Sequence, residues 1–409
     1  MKEDEFARLC REAGGKAYIV GGWVRDFLRG AVPKDKDYVV CGLSEETFHE
    51  LFPSAERVGK SFPVYLVRID GTKCEVAFAR RERKAGNGYR GFDVISSPEL
   101  TIEEDLYRRD TTMNAVAMEL PSKEIIDPYK GREDIFAHII RPVSEHFRED
   151  PVRALRAARQ SAELSFDIAT ETFEAMRACG YELQFEPAER IFNEMVRALR
   201  TSRPSVFFRA LRRADLLEKV FPELHALIGK TQPVEFHPEG DAFEHTMNIV
   251  DKVSAAVSSE IARFSGLVHD IGKGVTPEEM LPHHYGHEIK GGDILEKWNQ
   301  RMTMPKTWYQ SAAFVIREHM RAGRLEKPGK IVELLLGVDR IPIEPKEFKE
   351  IIRADHKTLP YYLEYIEEII PILKSVSGKD APVGFRGKKI GEWIFSEQIH
   401  RYMEWKSKI

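Results

Sequence analysis

The stretch Ala17-Tyr18-Ile19-Val20-Gly21-Gly22-Trp23-Val24-Arg25-Asp26-Phe27-Leu28-Arg29-Gly30, followed by Lys34-Asp35-Lys36-Asp37-Tyr38-Val39-Val40, decides how this chain is read. It opens as a short apolar strand, turns at a double glycine and continues with helical periodicity to Gly30. Glycines at a strand-to-helix turn let backbone amides approach a ligand, and a helix start favours anions. A triphosphate fits at Gly21 and Gly22, with Arg25 as its charged partner. Side chains alternate along a strand, so Asp35 and Asp37 are expected side by side at the start of an apolar strand. Two carboxylates that close repel, and a divalent cation is the natural compensation. Hard oxygen ligands suit Mg2+, which keeps waters and takes the rest of its coordination from substrate phosphates. An isolated Asp-x-Asp is most simply a charged turn; the Gly-Gly unit upstream makes it a candidate metal site.

Strand, Gly-Gly, x-x-Arg, helix and Asp-x-Asp together resemble the polymerase-β-like nucleotidyltransferases. GGWVRD followed by KDKDYVV resembles the class II tRNA nucleotidyltransferases in particular. The resemblance implies an α/β head, a mixed sheet with helices, followed by all-α body, HD and tail domains.

Composition sets the frame for the rest. With 409 residues the chain exceeds what one hydrophobic core organises, so two to four domains are expected. Lys plus Arg total 62 against 66 Asp plus Glu, a net charge of -4, so any nucleic-acid surface is local. The acidic start and the lack of a long uncharged stretch speak against a signal peptide and a membrane span. Cys10, Cys41, Cys74 and Cys179 show no CxxC spacing, which points to a reduced, cytoplasmic protein. Nine of 13 histidines fall between His225 and His356, marking a domain with its own chemistry. The expected division is a head over 1–140, a helical body over 141–230, a His-rich domain over 231–360 and a helical tail over 361–409. Gln232-Pro233 and His237-Pro238-Glu239-Gly240 mark the junction before the His-rich part.

The strand-like start of Cys74-Glu75-Val76-Ala77-Phe78 makes Glu75 a candidate third carboxylate beside the aspartate pair. The stretch from Arg80 to Phe92 is basic and glycine-punctuated, and reads as a loop. In the resembled family a flexible loop here serves the switch to terminal adenosine, so its presence argues against a variant that adds only cytidines. Downstream lies Arg108-Arg109-Asp110-Thr111-Thr112-Met113-Asn114. Taken alone it is a solvated helix-end cluster. The family motif of this form implies contacts to triphosphate and ribose by Arg109, Asp110 and Asn114, which agrees with guanidinium for phosphate and carboxylate or amide for a hydroxyl. Asp127-Pro128-Tyr129-Lys130-Gly131 reads as a structural link.

In Glu149-Asp150-Pro151-Val152-Arg153-Ala154-Leu155-Arg156, Asp150 reads as a helix N-cap with Pro151 at the first helical position. Arg153, Arg156 and Arg159 then share one side of the helix, by itself a basic solvent face. EDPVR also reproduces the family's nucleobase-selecting motif, which implies Asp150 and Arg153 as an amino-acid template. Cytosine and adenine each present an exocyclic amine beside a ring-nitrogen acceptor. A carboxylate and a guanidinium side by side match that pattern and mismatch uracil and guanine, and unpaired buried polar groups make the rejection strong. Arg156 remains for the triphosphate, with Glu189 and Arg190 as buttresses.

His245 lies on a helix-like stretch, and His269-Asp270-Ile271-Gly272-Lys273 ends another; His283, His284, His287, His319 and Asp355 follow. Imidazoles and carboxylates on successive helices suit a divalent metal. The pattern resembles the HD phosphohydrolases. That implies His245, His269, Asp270 and Asp355 as metal ligands, with His287 and His319 as phosphate contacts or ligands of a second metal. A degenerate HD fold is the alternative, since Met320 follows His319.

Taken together the resemblance implies tRNA CCA addition from CTP and ATP. It further implies Mg2+ at Asp35 and Asp37, a transition metal such as Ni2+ or Mg2+ in the HD site, no membrane, and a monomer or homodimer. RNA is expected on basic faces of body and tail, for example Arg209, Arg212 and Arg213. The rivals are a poly(A)-polymerase-like enzyme, disfavoured by the segment Val58 to Val64, and an HD phosphohydrolase with a nucleotide-sensing head, disfavoured by the intact Asp35/Asp37 pair.

Overall fold

The β-branched and aromatic runs at Tyr18-Ile19-Val20 and Tyr38-Val39-Val40 place the two central strands of the head. The computed structural model describes residues 1–58, 64–84, 86, 92–235, 238–356 and 358–408. Gly59 to Pro63, invoked above against a poly(A)-polymerase-like enzyme, lie outside the described residues, as do Ala85, Asn87 to Gly91 and His237.

The head opens with α1 (Glu3–Glu12), β1 (Lys16–Val20), α2 (Gly22–Leu28) and β2 (Asp37–Cys41). It continues through α3 (Glu45–Leu51), β3 (Glu56–Val58), β4 (Val64–Ile69), β5 (Thr72–Phe78), β6 (Arg80–Lys84), β7 (Phe92–Ser96), α4 (Ile102–Tyr107), β8 (Ala117–Leu120) and β9 (Ile125–Ile126). Among the described residues a seven-stranded mixed sheet runs β3-β4-β5-β2-β1-β8-β9. β1 is antiparallel to β2 and β8, and β2 is parallel to β5. One sheet face packs Tyr38, Tyr65 and Phe78 against Phe6, Phe48 and Phe52 in edge-on and tilted ring pairs. The opposite face buries Tyr18, Val20 and Val39 against Ile102, Leu106 and Ala117. Asp37 and Glu75 belong to this second face, at its edge.

Two local expectations are corrected. The strand begins at Asp37, so Asp35 precedes it: the last rung pairs Val20 with Asp37, after which β1 turns away at Gly21 and leaves Asp35 no ladder partner. The basic stretch read as a loop contains β6, which pairs with β7 as a hairpin from Arg80↔Ser96 to Lys84↔Phe92. Cross-strand pairing overrides the weak strand propensity of its charged residues.

The chain then forms α5 (Gly131–Ala137), β10 (Ile139–Ile140), α6 (Val152–Leu164), β11 (Asp167–Ile168), α7 (Thr170–Ala178), α8 (Ala188–Leu199), α9 (Ser205–Arg213) and α10 (Leu217–Val220). Asp127 accepts hydrogen bonds from the Gly131 and Arg132 amides and so caps α5. Gly131 is needed at that start, because a Cβ there would lie 2.1 Å from the Thr112 carbonyl oxygen. α6 starts at Val152, one residue later than expected: Pro151 itself stands at the cap without a side-chain donor or acceptor, and Asp150 accepts from the Val152 amide at 3.1 Å.

Two compact units divide the chain: Met1–Ile191 with Ala210–Lys219, and Phe192–Arg209 with Val220–Ile409. The breaks fall within or at the ends of α8, α9 and α10. The second unit holds α11 (Pro222–His225), α12 (Ala242–Ala256), α13 (Glu260–Val268), α14 (His287–Met302), α15 (Lys306–Ala322), α16 (Pro328–Val338), α17 (Pro345–Asp355), α18 (Tyr361–Glu364), α19 (Ile366–Lys374) and α20 (Lys388–Lys406). Asp241 caps α12 through the Phe243 and Glu244 amides, and Ser259 caps α13 through the Ala262 amide. Leu335, Phe348, Ile352, Leu363 and Leu373 form much of its core, with Tyr402 of α20 closing one side. No helix among the described residues is long and apolar enough to cross a membrane.

Candidate active sites

Gly21 sits at φ 72° and ψ -138°, a conformation open to glycine and strained for any residue with a Cβ. It delivers α2 directly against two guanidinium groups. A Cβ on Gly21 would come 3.3 Å from Arg109 Nη1, and one on Gly22 would come 3.4 Å from Arg25 Nη2. Arg25 donates from Nη1 to Asn114 Oδ1 at 2.9 Å and from Nε to Asp26 at 3.0 Å. Four expected nucleotide-binding residues, Gly21, Gly22, Arg25 and Arg109, therefore form one cationic cradle over a glycine turn, with Asn114 fastened to it.

The carboxylates stand beside that cradle. The parallel β2–β5 ladder sets Asp37 opposite Glu75. Burial, and then the negative charges of Glu75 and Asp35, raise the Asp37 carboxyl above its ordinary value, while Arg109 pulls it back. Neighbouring carboxylates with hard oxygen donors are a set that fits a divalent cation. The three carboxylates are more open than the second site below: they are not among the described groups whose ligand atoms all lie within 4.8 Å of one another.

Asp110 is buried and accepts from Arg156 Nε at 3.0 Å, Asn114 Nδ2 at 3.1 Å and Gln160 Nε2 at 3.3 Å. Burial alone would raise its carboxyl; Arg156, the Asn114 amide and Arg153 outweigh it and hold Asp110 well below the usual carboxylate range. The arginine side of α6 thus faces inward, not to solvent. Arg153 and Arg159 are only 8% and 5% exposed. Asp150 and Arg153 are not paired with each other. Arg190 grips Asp150 at 3.0 Å and Glu186 at 2.5 Å, while Arg153 Nη1 donates to the His146 carbonyl at 2.7 Å. Arg190, expected from sequence as a buttress, thus anchors Asp150, whereas Glu189 is exposed.

Sequence reasoning passed over Glu82 and Asp105. Asp105 is fully buried and binds Arg108 at 2.7 Å and Arg109 at 3.0 Å. Glu82 accepts from Arg80 Nε at 2.8 Å and Arg108 Nη1 at 2.9 Å. A lone acid in Arg80-Arg81-Glu82-Arg83-Lys84 was the available signal.

In the second unit, His245 of α12, His269 and Asp270 after α13, His287 of α14, His319 of α15 and Asp355 of α17 converge. All six expected residues come together. Two groups of three close to within 4.8 Å, His245-His269-Asp270 and Asp270-His287-His319, sharing Asp270. Asp355 Oδ1 lies 3.1 Å from His245 Nε2 and 3.7 Å from His269 Nε2. His269, His287 and His319 each turn Nδ1 to a backbone carbonyl, at 2.7, 2.7 and 2.9 Å, which leaves Nε2 pointing inward as a ligand. His269 Nε2 and both Asp270 oxygens are buried without a hydrogen bond of acceptable geometry. Such atoms fit a metal ion. Burial would lower the His269 imidazole, but Asp270 and Asp355 override it and raise it to about 10. Both carboxyls fall well below their ordinary value, whereas burial lowers His319.

Lys273 and Gln232 are the additions at this site. Lys273 Nζ is 2.5 Å from Asp270 Oδ2 and donates to Gln232 Oε1 at 2.6 Å. The stretch read as a junction thus packs against the second site. Of the basic residues expected to meet RNA, Arg209 is paired with Glu244, and Arg213 lies 4.2 Å over the Phe173 ring.

The fold and these two sites define a nucleotidyltransferase-type head joined to an HD-type metal domain. Family models agree: a poly A polymerase head domain matches residues 17–141, a probable RNA and SrmB-binding site of polymerase A matches 165–228, and an HD domain matches 242–370. The multifunctional CCA protein of Acinetobacter baumannii is 38% identical over 408 residues, 96% of this chain and 98% of the relative. That of Nitrosococcus oceani is 41% identical over 344 residues, 83% of each. The Bacillus stearothermophilus CCA-adding enzyme in complex with CTP has the same fold, with a TM-score of 0.66 at 21% identity covering 100% of both chains. The Thermotoga maritima CCA-adding enzyme complexed with tRNA matches at 0.62 and 20% identity, covering 97% of this chain and 89% of that one. The chain belongs to the multifunctional CCA protein family.

Proposed function

We propose that the protein adds and repairs the 3'-terminal CCA of tRNA from CTP and ATP without a nucleic-acid template, and hydrolyses phosphoesters in its HD domain. The observation that carries the first part is the cradle of Gly21, Gly22, Arg25 and Arg109 beside the register-paired Asp37 and Glu75. The cradle takes the triphosphate on backbone amides and guanidinium groups. Asp35 and Asp37 hold Mg2+, with Glu75 beside them; a bound divalent ion there supplies charge stabilisation for in-line transfer of a nucleotidyl group with pyrophosphate as leaving group. Asn114 and Asp110 face the ribose.

Asp150 and Arg153 read the base. Each is held by a third group, Arg190 and the His146 carbonyl, so neither neutralises the other and both keep hydrogen-bonding capacity for a base edge. The carboxylate accepts from the amine of cytosine or adenine while the guanidinium donates to the ring nitrogen. Uracil and guanine leave both protein groups facing the wrong partner.

His245, His269, Asp270 and Asp355 hold a divalent metal in the HD domain, a transition metal such as Ni2+ or else Mg2+, and His287 and His319 bind phosphate or a second ion. These residues would hold the ion, which when bound would supply Lewis-acid activation of water toward a phosphoester such as a 2',3'-cyclic phosphate. Lys273 pairs with Asp270 and is itself held by Gln232. We further propose a cytoplasmic monomer or homodimer whose head, body, HD and tail parts divide near residues 140, 230 and 360. Incubating the protein with tRNA lacking CCA and each nucleoside triphosphate separately tests the reading. It predicts incorporation of C from CTP alone, of A only once the tRNA ends in CC, and no extension with UTP or GTP; a long homopolymeric A tail would refute it.

A further inference from the structure

His283 and Tyr285 stack on each other beside the HD site, with ring centroids 5.7 Å apart and planes 23° from parallel. Both residues are exposed, Tyr285 by 69%. Between them the His284 ring is turned to the protein. It donates from Nε2 to the Thr231 carbonyl at 2.9 Å, and its Nδ1 meets Thr276 Oγ1 at 2.8 Å. The His284 carbonyl accepts from His287 Nδ1 at 2.7 Å, and His287 Nε2 lies 3.2 Å from Asp270 Oδ1. One residue thus ties the backbone under the stacked pair to an imidazole of the metal site. Two residues of chain span at most about 7 Å, so the Tyr285 backbone stands within a nucleoside's length of His287. Exposed apolar side chains scattered singly are ordinary. Here three lie on the segments that frame one site: Val275 precedes Thr276, Tyr285 precedes α14, and Ile289, 73% exposed, follows in its first turn.

We infer that the His283–Tyr285 pair is a nucleobase-stacking platform that makes the HD site select phosphoesters of nucleosides over those without a base. The inference rests on phosphoester hydrolysis at His245, His269, Asp270 and Asp355. Imidazole nitrogens and carboxylates answer to the metal and the phosphate, and nothing in their chemistry tells a nucleoside ester from any other. A flat pair of rings that is already stacked and still exposed supplies that distinction. Every base has a π-face, and adding a third ring to a stack held in place orders little that was not ordered before. Stacking tolerates any base, so the platform selects for a base and not among bases.

The test compares Tyr285→Ala and Tyr285→Phe with the parent on 2',3'-cyclic AMP and on the base-free ester glycerol 1,2-cyclic phosphate. Tyr285→Ala is expected to lower kcat/KM for the nucleotide roughly tenfold, within the range for losing one stacking ring, and to do so through KM. The base-free ester is expected to stay within about twofold, since no metal ligand is touched. Tyr285→Phe keeps the ring and is expected to match the parent, while 2',3'-cyclic CMP is expected to suffer beside the adenine ester in Tyr285→Ala. An RNA ending in a 2',3'-cyclic phosphate is run alongside: a loss on both assigns RNA ends to the platform, and a loss on the mononucleotide alone assigns free nucleotides. Saturation-transfer NMR of adenosine gives a readout without turnover. The signal of the adenine ring protons is expected to fall at least about twofold in Tyr285→Ala, and adenosine held in the head contributes equally to both proteins. Equal losses on the nucleotide and the base-free ester, or no loss on the nucleotide, overturn the inference and leave hydrolysis at the metal site standing. A parent that hydrolyses neither ester but shows the Tyr285-dependent adenosine signal overturns the hydrolysis reading and keeps the platform as a nucleoside site. A parent that shows neither overturns both.

Discussion

Asp37 and Glu75 are register partners on adjacent parallel strands, the first residue of β2 facing the middle of β5. Both residues have exposed surface, and partial burial of the Asp37 carboxyl, followed by the charges of Glu75 and Asp35, raises it above its ordinary value. Replacing Asp37 by Ala removes a candidate metal ligand without opening a cavity. CCA addition is expected to fall on the order of a thousandfold or more, the scale of losing a charge-stabilising group at a reacting centre, while stability shifts by less than about 0.5 kcal/mol. Asp35→Ala carries the same expectation. Near wild-type incorporation by either variant would show that the metal lies elsewhere.

Gly21 is the backbone counterpart of that site. Gly21→Ala places a methyl group against Arg109 in a conformation that disfavours side chains. A loss of about 1–3 kcal/mol in stability is expected from the backbone strain, together with a raised KM for both CTP and ATP. Equal KM values in variant and parent, measured by initial-rate assay, would remove Gly21 from the cradle.

Asp110 gives a pH dependence with a defined sign. Its folded-state carboxyl is held well below the ordinary value of about 3.9 by Arg156, Asn114 and Arg153 against the opposing effect of burial. A depressed carboxyl contributes stability that is fully present above the unfolded-state value and is lost as pH falls through the folded one. Asp110→Asn is therefore expected to cost about 3 kcal/mol at neutral pH, as for breaking a buried pair. The gap between parent and variant is expected to close only below about pH 4, where the unfolded chain takes up the proton. Denaturant melts at pH 7, 5 and 3 check this; a gap that widens on acidification would contradict the assignment.

Asp270 is the one side chain common to both triads of the second site. Asp270→Ala or His269→Ala is expected to abolish metal-dependent phosphoester hydrolysis and to lower bound divalent metal in equilibrium dialysis. CCA addition should stay within about twofold, since the two sites share no ligand and belong to separate compact units. His287→Ala and His319→Ala, each touching one triad only, should retain metal binding at the other. If wild-type protein binds and hydrolyses nothing with Ni2+, Co2+, Mn2+ or Mg2+, the HD domain serves structure or RNA binding instead.

What the sequence determined by itself was local: strand, turn and helix around Gly21-Gly22, Asp37 at the start of the next strand, the EDPVR helix start to within one residue, and the His and Asp positions of the HD domain. These were legible because each depends on neighbours a few residues away, through glycine conformations, alternation and capping. Only tertiary structure decided which distant residues meet. Register placed Glu75 opposite Asp37, because pairing across 38 positions depends on the whole sheet's packing. Burial turned the arginine side of α6 inward, since one periodic stripe serves equally for solvent or for buried carboxylates until its partners are known. Glu82, Asp105, Gln232 and Lys273 acquired their contacts in the same way, as single charged or polar residues whose meaning lies in the groups that folding brings within 3 Å of them.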